Sequence, residues 1–333
     1  MTQVAQILRT LIIGCGNIAG GFDAQRAGDQ LPLSHAGAYT RHSGYRLVAC
    51  VEPVADRRAA FMQRWNVSEG YDSIGELATH VGQYDVISIC STTTAHVADV
   101  MAAIALKPRL IFCEKPVAPS LAEATQLVEA CRAAGIHFAV NYNRRWDPDV
   151  LQLAGELAAG HWGSVRAVSA VYNKGILNNG SHMIDLLHLL FGRIELIGTG
   201  PARADGFAGD PSVPAQLQTQ DGVTIQLACT DARDFSLFEL HIMTEKAVLS
   251  MENGGMSWRT RTADESEVFA GYRNLGPEVV RAGRLLEATL AAVTEIHKAV
   301  VSGGSLSSTG ENALQALRVC EAVHECAGNT KQS

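Results

Sequence analysis

The segment Leu11-Ile12-Ile13-Gly14-Cys15-Gly16-Asn17-Ile18-Ala19 says most about how this chain folds. Its apolar run, typical of a buried strand, leads into a G-x-G-x-x-A motif. Gly14 allows a tight turn, Gly16 lets the backbone approach a pyrophosphate, and Ala19 permits close packing of the following helix. An ordinary strand-to-helix turn is the alternative. We expect the turn and the helix start after it to bind a dinucleotide through the backbone of Gly14, Gly16, Asn17 and Ile18.

The chain is long enough for two domains and has a globular composition. It contains 333 residues, of which 47% are hydrophobic and 18% charged. We expect one domain over 1–146 and a second over 147–333. The net charge of −7 argues against nucleic-acid or membrane partners. Because no signal peptide is evident and the eight cysteines form no C-x-x-C motif, the expected location is cytoplasmic.

The first half of the sequence alternates short apolar runs with helical patterns. The predicted strands are Thr10–Ile13, Arg46–Val51, Val86–Cys90, Leu110–Cys113 and His137–Val140. The predicted helices are Ser34–His42, Ala55–Trp65, His96–Ala105 and Leu121–Ala134. This alternation predicts a doubly wound parallel sheet, the Rossmann architecture. The segment Phe22–Leu33 is interpreted as an insertion that delays the first helix.

Beyond Pro148, strands follow one another with few helices between them. The predicted strands are Val165–Tyr172, Ile194–Thr199, Val223–Thr230, Leu237–Met243, Ala247–Met251 and Ser257–Thr262. Helices are predicted at Val150–Ala159, Glu278–Val301 and Glu311–Ala327. The fold class is therefore α/β: a Rossmann domain followed by an α+β domain with a large, mostly antiparallel open sheet.

Glu52 ends the second predicted strand and bears on the choice of cofactor. A carboxylate at this position accepts hydrogen bonds from the adenosine ribose hydroxyls and repels a 2′-phosphate. This favours NAD over NADP. Arg57 and Arg58 lie close enough in sequence to reach a 2′-phosphate, so NADP stays open as the second choice.

Polar side chains follow the predicted strand Val86–Cys90. Ligands of open α/β sheets bind beyond the carboxyl ends of the strands. For Thr94, capping of the following helix is an equally good interpretation. We expect further cofactor contacts at Ser91, Thr92, Thr93 and His96.

Cys113-Glu114-Lys115-Pro116 follows the next predicted strand. A Glu-Lys pair is ordinarily a solvated surface pair, but this one lies at the binding edge of the sheet. A lysine there can exchange a proton with a reacting hydroxyl or carbonyl. Base chemistry needs desolvation or a nearby positive charge, because the ordinary lysine pKa is about 10.4. Glu114 and Lys115 are thus candidate cofactor contacts, and Pro116 is a candidate for a cis peptide bond.

Further motifs make the pattern more specific. They are Asn143-Arg144-Arg145-Trp146-Asp147-Pro148, Asn178-Asn179-Gly180-Ser181-His182-Met183-Ile184-Asp185 and Gly310-Glu311-Asn312-Ala313-Leu314. Together with the glycine turn and the Glu-Lys-Pro element, they resemble the Gfo/Idh/MocA family over nearly the whole chain. The resemblance implies a Rossmann domain and a second domain whose open sheet forms subunit interfaces. It also implies hydride transfer between a nicotinamide cofactor and a sugar, cyclitol or related hydroxyl compound.

The resemblance also implies catalytic roles for Lys115 and His182. The family commonly has an aspartate four residues before that histidine, where this chain has Asn178. An asparagine can hydrogen-bond but, being neutral, does not raise the pKa of a nearby cation. We hypothesise that Lys115 transfers the proton while His182 orients the substrate hydroxyl or shares the proton. Substrate contacts are predicted at Lys115, Tyr172, Asn178, His182 and Asp185, and a cofactor contact at Asn143.

The leading hypothesis is an NAD(P)-dependent oxidoreductase acting on a sugar, cyclitol or nucleotide-sugar. A non-catalytic dinucleotide-dependent sensor and an NAD-retaining glycoside hydrolase or eliminase are the alternatives. No metal site is expected, because the spacing of His182, Asp185 and His188 does not put all three on one helix face. The expected partners are a sugar-like small molecule and further copies of the chain, as a homodimer or homotetramer.

Overall fold

The computed structural model describes residues 6–207 and 209–329, which form two compact units. The first unit ends at Trp146, where the sequence predicts the domain boundary. The second begins at Asp147, but the chain returns to the first unit over Leu286–Leu314. The expectation that all of 147–333 forms the second domain is therefore wrong. The signal was absent from the sequence because this return is made by one helix and its flanking turns.

The first unit contains a six-stranded sheet that is parallel throughout. Its strands are β1 (Leu8–Ile13), β2 (Tyr45–Val51), β3 (Glu69–Tyr71), β4 (Val86–Ile89), β5 (Leu110–Cys113) and β6 (His137–Val140). Their spatial order is β3-β2-β1-β4-β5-β6, which confirms the doubly wound architecture. Sequence reasoning missed β3 because its three residues, half-buried and not strongly apolar, carry no strand pattern.

Helices accompany this sheet as the sequence predicts. They are α1 (His35–Arg41), α2 (Ala55–Trp65), α3 (His96–Ala105) and α4 (Leu121–Ala133), with α7 (Ala288–Ser302) from the returning segment. Ser34 and Ser120 cap α1 and α4 by accepting hydrogen bonds from backbone N–H groups in the first turn. The strand order reverses between β1 and β4, so their carboxyl ends diverge into different loops and open a crevice between them.

The second unit contains a nine-stranded, mostly antiparallel sheet. Its strands are β7 (Val165–Tyr172), β8 (Ile194–Thr199), β9 (Ala215–Thr219), β10 (Thr224–Cys229), β11 (Phe238–Thr244), β12 (Ala247–Glu252), β13 (Ser257–Glu265), β14 (Arg273–Leu275) and β15 (Val279–Ala282). The order is β14-β13-β12-β11-β7-β10-β9-β8, with β15 paired to β13. Only β7 and β10 pair in parallel among these described strands.

The second unit also departs from the predicted boundaries. Its helices are α5 (Pro148–Ala158), α6 (Ser181–Phe191) and α8 (Gly310–Asn329), whose first residues up to Leu314 belong to the first unit. The helix predicted from Glu278 is wrong at its start, because β15 occupies Val279–Ala282 as an edge strand and α7 begins only at Ala288. No helix within the described residues is long and apolar enough to cross a membrane.

An ion cluster around the buried Asp149 joins α5 to the edge of the second sheet. The Asp149 carboxylate is 2% exposed and accepts hydrogen bonds from Arg281 Nη1 at 2.8 Å, Arg284 Nε at 3.0 Å and Arg284 N at 2.7 Å. Burial by itself raises the pKa of Asp149. The Arg284 hydrogen bonds and the Arg281 charge outweigh burial, so the pKa lies below its usual value.

We expect Asp149→Asn to lower the free energy of unfolding at neutral pH by about 1–3 kcal/mol. Because the folded-state pKa is depressed, this contribution is complete above the unfolded-chain value of about 3.9 and is lost as the pH falls towards the folded value. Urea unfolding at a series of pH values should show the two proteins converging in acid. The exposed pair Arg193–Glu195 supplies the control: Glu195→Gln should change little at any pH. Equal stability of Asp149→Asn and wild type at neutral pH would contradict the expectation.

Candidate dinucleotide and substrate site

The glycine turn connects the carboxyl ends of three neighbouring strands. Gly14 has φ +86°, and its N–H donates to the Val51 carbonyl at 2.8 Å. A Cβ at Gly14 would lie 2.6 Å from the Ser91 nitrogen, so no side chain fits there. A Cβ at Gly16 would meet no protein atom within 4 Å. Gly14 is therefore required by the protein's own packing, whereas Gly16 leaves open space over the turn.

The turn does not lead directly into a helix, which agrees with the prediction that an insertion delays the first helix. The chain makes one irregular turn, with Gly20 N donating to Gly16 O at 3.2 Å and Phe22 N to Asn17 O at 2.9 Å. Helix α1 begins only at His35. The N–H groups of Asn17 and Ile18 are thus not at the start of α1, and these two residues do not line the cavity described below.

Asp23, which sequence reasoning missed, organises the insertion Phe22–Leu33. Its buried carboxylate accepts hydrogen bonds from Leu33 N at 3.0 Å, Ser34 N at 2.8 Å and Ser34 Oγ at 2.5 Å. Ser34 in turn caps α1 through Gly37 N. The insertion is thereby folded back onto the helix that it delays. The available signal in the sequence was an aspartate ahead of the serine that caps α1. The sequence alone does not show that the loop closes and brings these two residues together.

A cavity of about 480 Å³ lies over the carboxyl ends of β1, β2 and β4. Of the predicted cofactor residues, those that line it are Gly14, Gly16, Glu52, Ser91 and Thr92. Thr93 and His96 do not line it. Among the lining residues that sequence reasoning missed are Asp72, Ser73 and Asp99, which lie just after β3 and in the first turn of α3. The open space over Gly16 and the acceptor at Glu52 suit a dinucleotide.

Glu52 is held in a fixed orientation at this cavity. Its carboxylate is 3% exposed and accepts hydrogen bonds from Cys15 N at 3.0 Å and Val54 N at 3.1 Å. Arg57 Nη1 lies 3.4 Å from both carboxylate oxygens, while Arg58 donates to the Glu52 carbonyl. The carboxylate thus joins the glycine turn to the end of β2, and its remaining acceptor capacity is available to a ligand.

His96 joins two strand-end loops. It is 1% exposed, with Nδ1 2.8 Å from the Pro116 carbonyl and Nε2 3.1 Å from the Ser91 carbonyl. His96 therefore holds the two loops together and does not contact a cofactor, because both of its ring nitrogens face backbone carbonyls.

Ser91 Oγ donates a hydrogen bond to Asp99 at 2.5 Å. The capping role considered for Thr94 is wrong: Ala95 precedes α3, and no side chain caps the helix.

Glu114 and Lys115 follow β5 at the same edge of the sheet. The Glu114 carboxylate is buried and accepts hydrogen bonds from His35 Nε2 at 2.9 Å and Asn141 Nδ2 at 2.7 Å. Burial raises its pKa, but these bonds and the Lys115 charge more than compensate, so the pKa is lowered. Lys115 is half-buried, and its peptide bond to Pro116 is cis, as the sequence allows. A carboxylate therefore accompanies the candidate catalytic ammonium.

Asn143, another predicted cofactor contact, lies in a short helical turn after β6 and does not line the cavity.

The predicted substrate residues of the second unit differ in how deeply they are buried. Tyr172 is fully buried, and its hydroxyl donates to the Val213 carbonyl at 3.0 Å and accepts from Val213 N at 2.8 Å. The predicted substrate contact at Tyr172 is therefore wrong, because its only polar group is used within the protein. His182 is half-buried in the first turn of α6, and Asp185 is buried one turn later. Within the described residues, no cluster of His, Cys, Asp and Glu suited to a metal ion is found.

Two aspartates that sequence reasoning missed, the buried Asp205 and the half-buried Asp210, support the segment before His182. Asp205 accepts hydrogen bonds from Lys174 N at 2.6 Å and Ser212 Oγ at 2.6 Å. Asp210 accepts from Leu177 N at 2.9 Å and from Asn178 N at 2.8 Å. Burial raises the pKa of Asp210, whereas its two backbone donors lower it, and the net shift is upward. A carboxylate thus contacts the backbone of Asn178, although the side chain there is neutral.

Comparison with known proteins accords with the geometry of the first unit. Residues 8–142 match the model of a family described as "Oxidoreductase family, NAD-binding Rossmann fold". The matched family is Gfo/Idh/MocA, and the match covers about two fifths of the chain, within the first unit. Over these residues it confirms the resemblance inferred from the glycine turn and the Glu-Lys-Pro element.

Individual Gfo/Idh/MocA relatives are distant. A D-apiose dehydrogenase of Paraburkholderia graminis is 27% identical over 250 residues, which are 69% of this chain and 62% of that protein. The match thus spans less than two thirds of that relative. An inositol 2-dehydrogenase of Rhizobium meliloti is 23% identical over 90% of this chain and 94% of its own length. A solved oxidoreductase from Agrobacterium radiobacter, in complex with NAD+, L-tartaric acid and magnesium, shares the fold, with a TM-score of 0.75, 20% identity and 97% coverage of both chains.

The two glycines should respond differently to the same substitution. We expect Gly16→Ala to fold with wild-type stability, because its Cβ meets no protein atom, but to weaken NAD+ binding at least about tenfold by occupying the space needed for close approach of the pyrophosphate. Gly14→Ala should instead be destabilised by about 1–2 kcal/mol or more, from the left-handed backbone alone. Calorimetric titration with NAD+ and thermal unfolding measure both effects. Unchanged NAD+ affinity in Gly16→Ala would place the dinucleotide elsewhere.

Proposed function

We propose that this chain is an NAD-dependent dehydrogenase or reductase that acts on a hydroxyl or carbonyl group of a sugar, cyclitol or nucleotide-sugar. The observation that carries the proposal is the arrangement at the sheet edge of the first unit. A cavity of about 480 Å³ with the acidic Glu52 at the end of β2 lies over the ends of β1, β2 and β4, and the Glu-Lys pair follows β5, the strand next to β4. The names of the relatives, an apiose and an inositol dehydrogenase, support the substrate class.

Lys115 is proposed as the proton donor and acceptor. When bound, NAD+ supplies a hydride acceptor for the hydrogen on the carbinol carbon of the substrate. As that carbon becomes a carbonyl, the neutral Lys115 amine takes the hydroxyl proton; in the reverse direction, the ammonium returns it. His182 is proposed to orient the same hydroxyl or share its proton. The positive charge of Lys115 is balanced by Glu114, which lies next to it in the chain.

NAD is proposed over NADP because of Glu52. Its buried carboxylate lines the cavity and has acceptor capacity for ribose hydroxyls, whereas a 2′-phosphate there would bring two negative charges close to it. Asp72 and Asp99 add two further acidic side chains to the lining. Arg57 is more than half exposed and already faces Glu52, so its charge is partly neutralised.

We expect Lys115→Met to lower kcat/KM by roughly 10²–10⁴-fold while NAD+ affinity stays within about threefold of wild type. A thermal-shift screen of sugars, cyclitols and nucleotide-sugars with NAD+ present identifies the substrate, and nicotinamide absorbance then reports turnover. The exposed Lys298, on α7, provides the control variant Lys298→Met, which should behave as wild type.

Other outcomes would overturn specific parts of the proposal. Full activity in Lys115→Met would remove Lys115 from the mechanism. Tight NAD+ binding by wild type without turnover of any compound would favour the sensor. Product formation without net nicotinamide reduction would favour the NAD-retaining hydrolase or eliminase, and tighter binding of NADP+ than NAD+ would reverse the cofactor assignment.

A homodimer or homotetramer built through the second sheet is the final part of the proposal. Side chains on one face of this sheet, such as Leu240 and Ile242, are buried, while the intervening Glu239 and His241 are only half-buried. Large apolar side chains at the β13–β15 edge are exposed, and a patch of this kind marks a protein contact. They are Val268, Phe269, Tyr272, Val279 and Val280.

We expect light scattering to give two or four times the mass of one chain. Replacing Phe269 and Tyr272 by serine should shift the mass towards the monomer, because their rings are 63% and 70% exposed and contribute apolar area only to an interface. The control Phe22→Ser changes an exposed ring in the first unit and should leave the mass unchanged. A monomeric wild type would refute the proposed assembly.

A further inference from the structure

A chain of hydrogen bonds runs beneath Glu114 into the core of the first unit. Tyr39 OH lies 2.7 Å from Ser88 Oγ, Ser88 Oγ lies 3.1 Å from His35 Nδ1, and His35 Nε2 lies 2.9 Å from Glu114 Oε1. Tyr39, Ser88 and His35 are each no more than 1% exposed. The residues come from α1, β4 and the end of β5, so the network links three elements around the site.

One donor in this network can be assigned from its partner. Glu114 is ionised, since its pKa is lowered, and an ionised carboxylate only accepts hydrogen bonds. His35 Nε2 therefore carries the proton that is shared with Glu114. At the other ring nitrogen, Nδ1 is within hydrogen-bond distance of the Ser88 hydroxyl, which is also bonded to the Tyr39 hydroxyl. Each of the four side chains therefore has a hydrogen-bond partner in the network.

Both side-chain donors to Glu114 converge on the same oxygen. His35 Nε2 and Asn141 Nδ2 bind Oε1 at 2.9 and 2.7 Å. Two fixed donors on one oxygen leave the carboxylate little rotational freedom and stabilise its negative charge despite burial. The position and the charge of Glu114 are therefore set by side chains that lie below the site.

We propose that His35 is a positioning residue for Lys115, acting through Glu114. By holding Glu114 ionised and in one orientation, His35 maintains a negative charge next to the Lys115 ammonium and so governs how readily that group gives up its proton. This inference rests on the proposed role of Lys115, but the arrangement of His35 and Glu114 can be tested without a substrate.

The other titratable groups around Glu114 do not supply the negative charge next to Lys115. Cys90 and Cys113 lie close enough for its charge to act on them, and burial raises the pKa of both thiols well above the usual value, so they remain neutral. The groups that lower the pKa of Glu114 are His35, through its hydrogen bond and its charge, then Asn141 through its hydrogen bond, and then the Lys115 charge.

A purely structural role for His35 makes a different prediction. Its ring packs 4.5 Å from the Phe112 ring, centroid to centroid, so any substitution disturbs the core to some extent. Loss of packing would lower stability in every His35 variant. It would not distinguish a variant that keeps the donor to Glu114 from one that does not.

The test uses amine labelling of the full-length protein with acetic anhydride, quantified at Lys115 by peptide mass spectrometry and normalised to Lys298. Only the neutral amine reacts, so the rate reports how strongly the ammonium is stabilised. His35→Gln places an amide near the Nε2 position and keeps the donor to Glu114. His35→Asn has a shorter side chain that keeps only the group facing Ser88. Glu114→Gln removes the charge itself, and Tyr45→Phe, which loses a buried hydrogen bond to the Val293 carbonyl, controls for general destabilisation.

We expect Lys115 labelling to rise roughly threefold to tenfold in His35→Asn and in Glu114→Gln, and to stay within about twofold of wild type in His35→Gln and Tyr45→Phe. Once a substrate is known, kcat should fall about tenfold or more in His35→Asn, with rescue in His35→Gln and an unchanged Kd for NAD+. Wild-type labelling of a folded His35→Asn, or equal labelling in the Asn and Gln variants, would overturn the inference. If labelling changes as expected but the wild type turns over no sugar or cyclitol, the proposed function fails while the positioning by His35 stands.

Discussion

The first unit depends on the contact between the backbone at Gly14 and the backbone at Ser91. This contact places the end of β1 directly against the end of β4, where the strand order reverses. Any side chain at Gly14 would force these two loops apart. The cavity over the turn, the orientation of Glu52 through Cys15 N, and the position of the Ser91 loop all follow from that approach.

Buried carboxylates recur wherever a loop must hold one shape. Asp23 closes the insertion, Glu52 joins the glycine turn to β2, and Glu114 receives two side-chain donors. In the second unit, the buried Asp205 and the half-buried Asp210 do the same for the segment before His182. An ionised carboxylate is costly to bury without donors and effective at ordering backbone N–H groups when it has them. In both units, therefore, carboxylates hold loops in place where the hydrogen bonds of a sheet or a helix are absent.

Sequence reasoning succeeded where periodicity was strong and failed where partners were distant. Helices α2 and α3 were predicted to the residue because their apolar spacing is regular and breaks sharply at each end. Four strands were missed, since they are stabilised by neighbouring strands and not by their own pattern: β3, β9, β14 and β15. The role of Tyr172 was misjudged for a related reason: its sequence position suggested exposure, but the chain around Val213 folds over its hydroxyl.

The sequence by itself determined the Rossmann class, the resemblance to the Gfo/Idh/MocA family, and a set of candidate site residues. These depend on local backbone geometry and on position at strand ends. The candidates are Gly14, Gly16, Glu52, Glu114 and Lys115. Tertiary structure alone decided that α7 returns to the first unit, that His96 faces two carbonyls, and that His35 reaches Glu114. The last two residues are separated by 79 positions in the chain. Neither local sequence identifies the other residue as its partner, because this hydrogen bond forms only after the sheet has brought α1 against the end of β5.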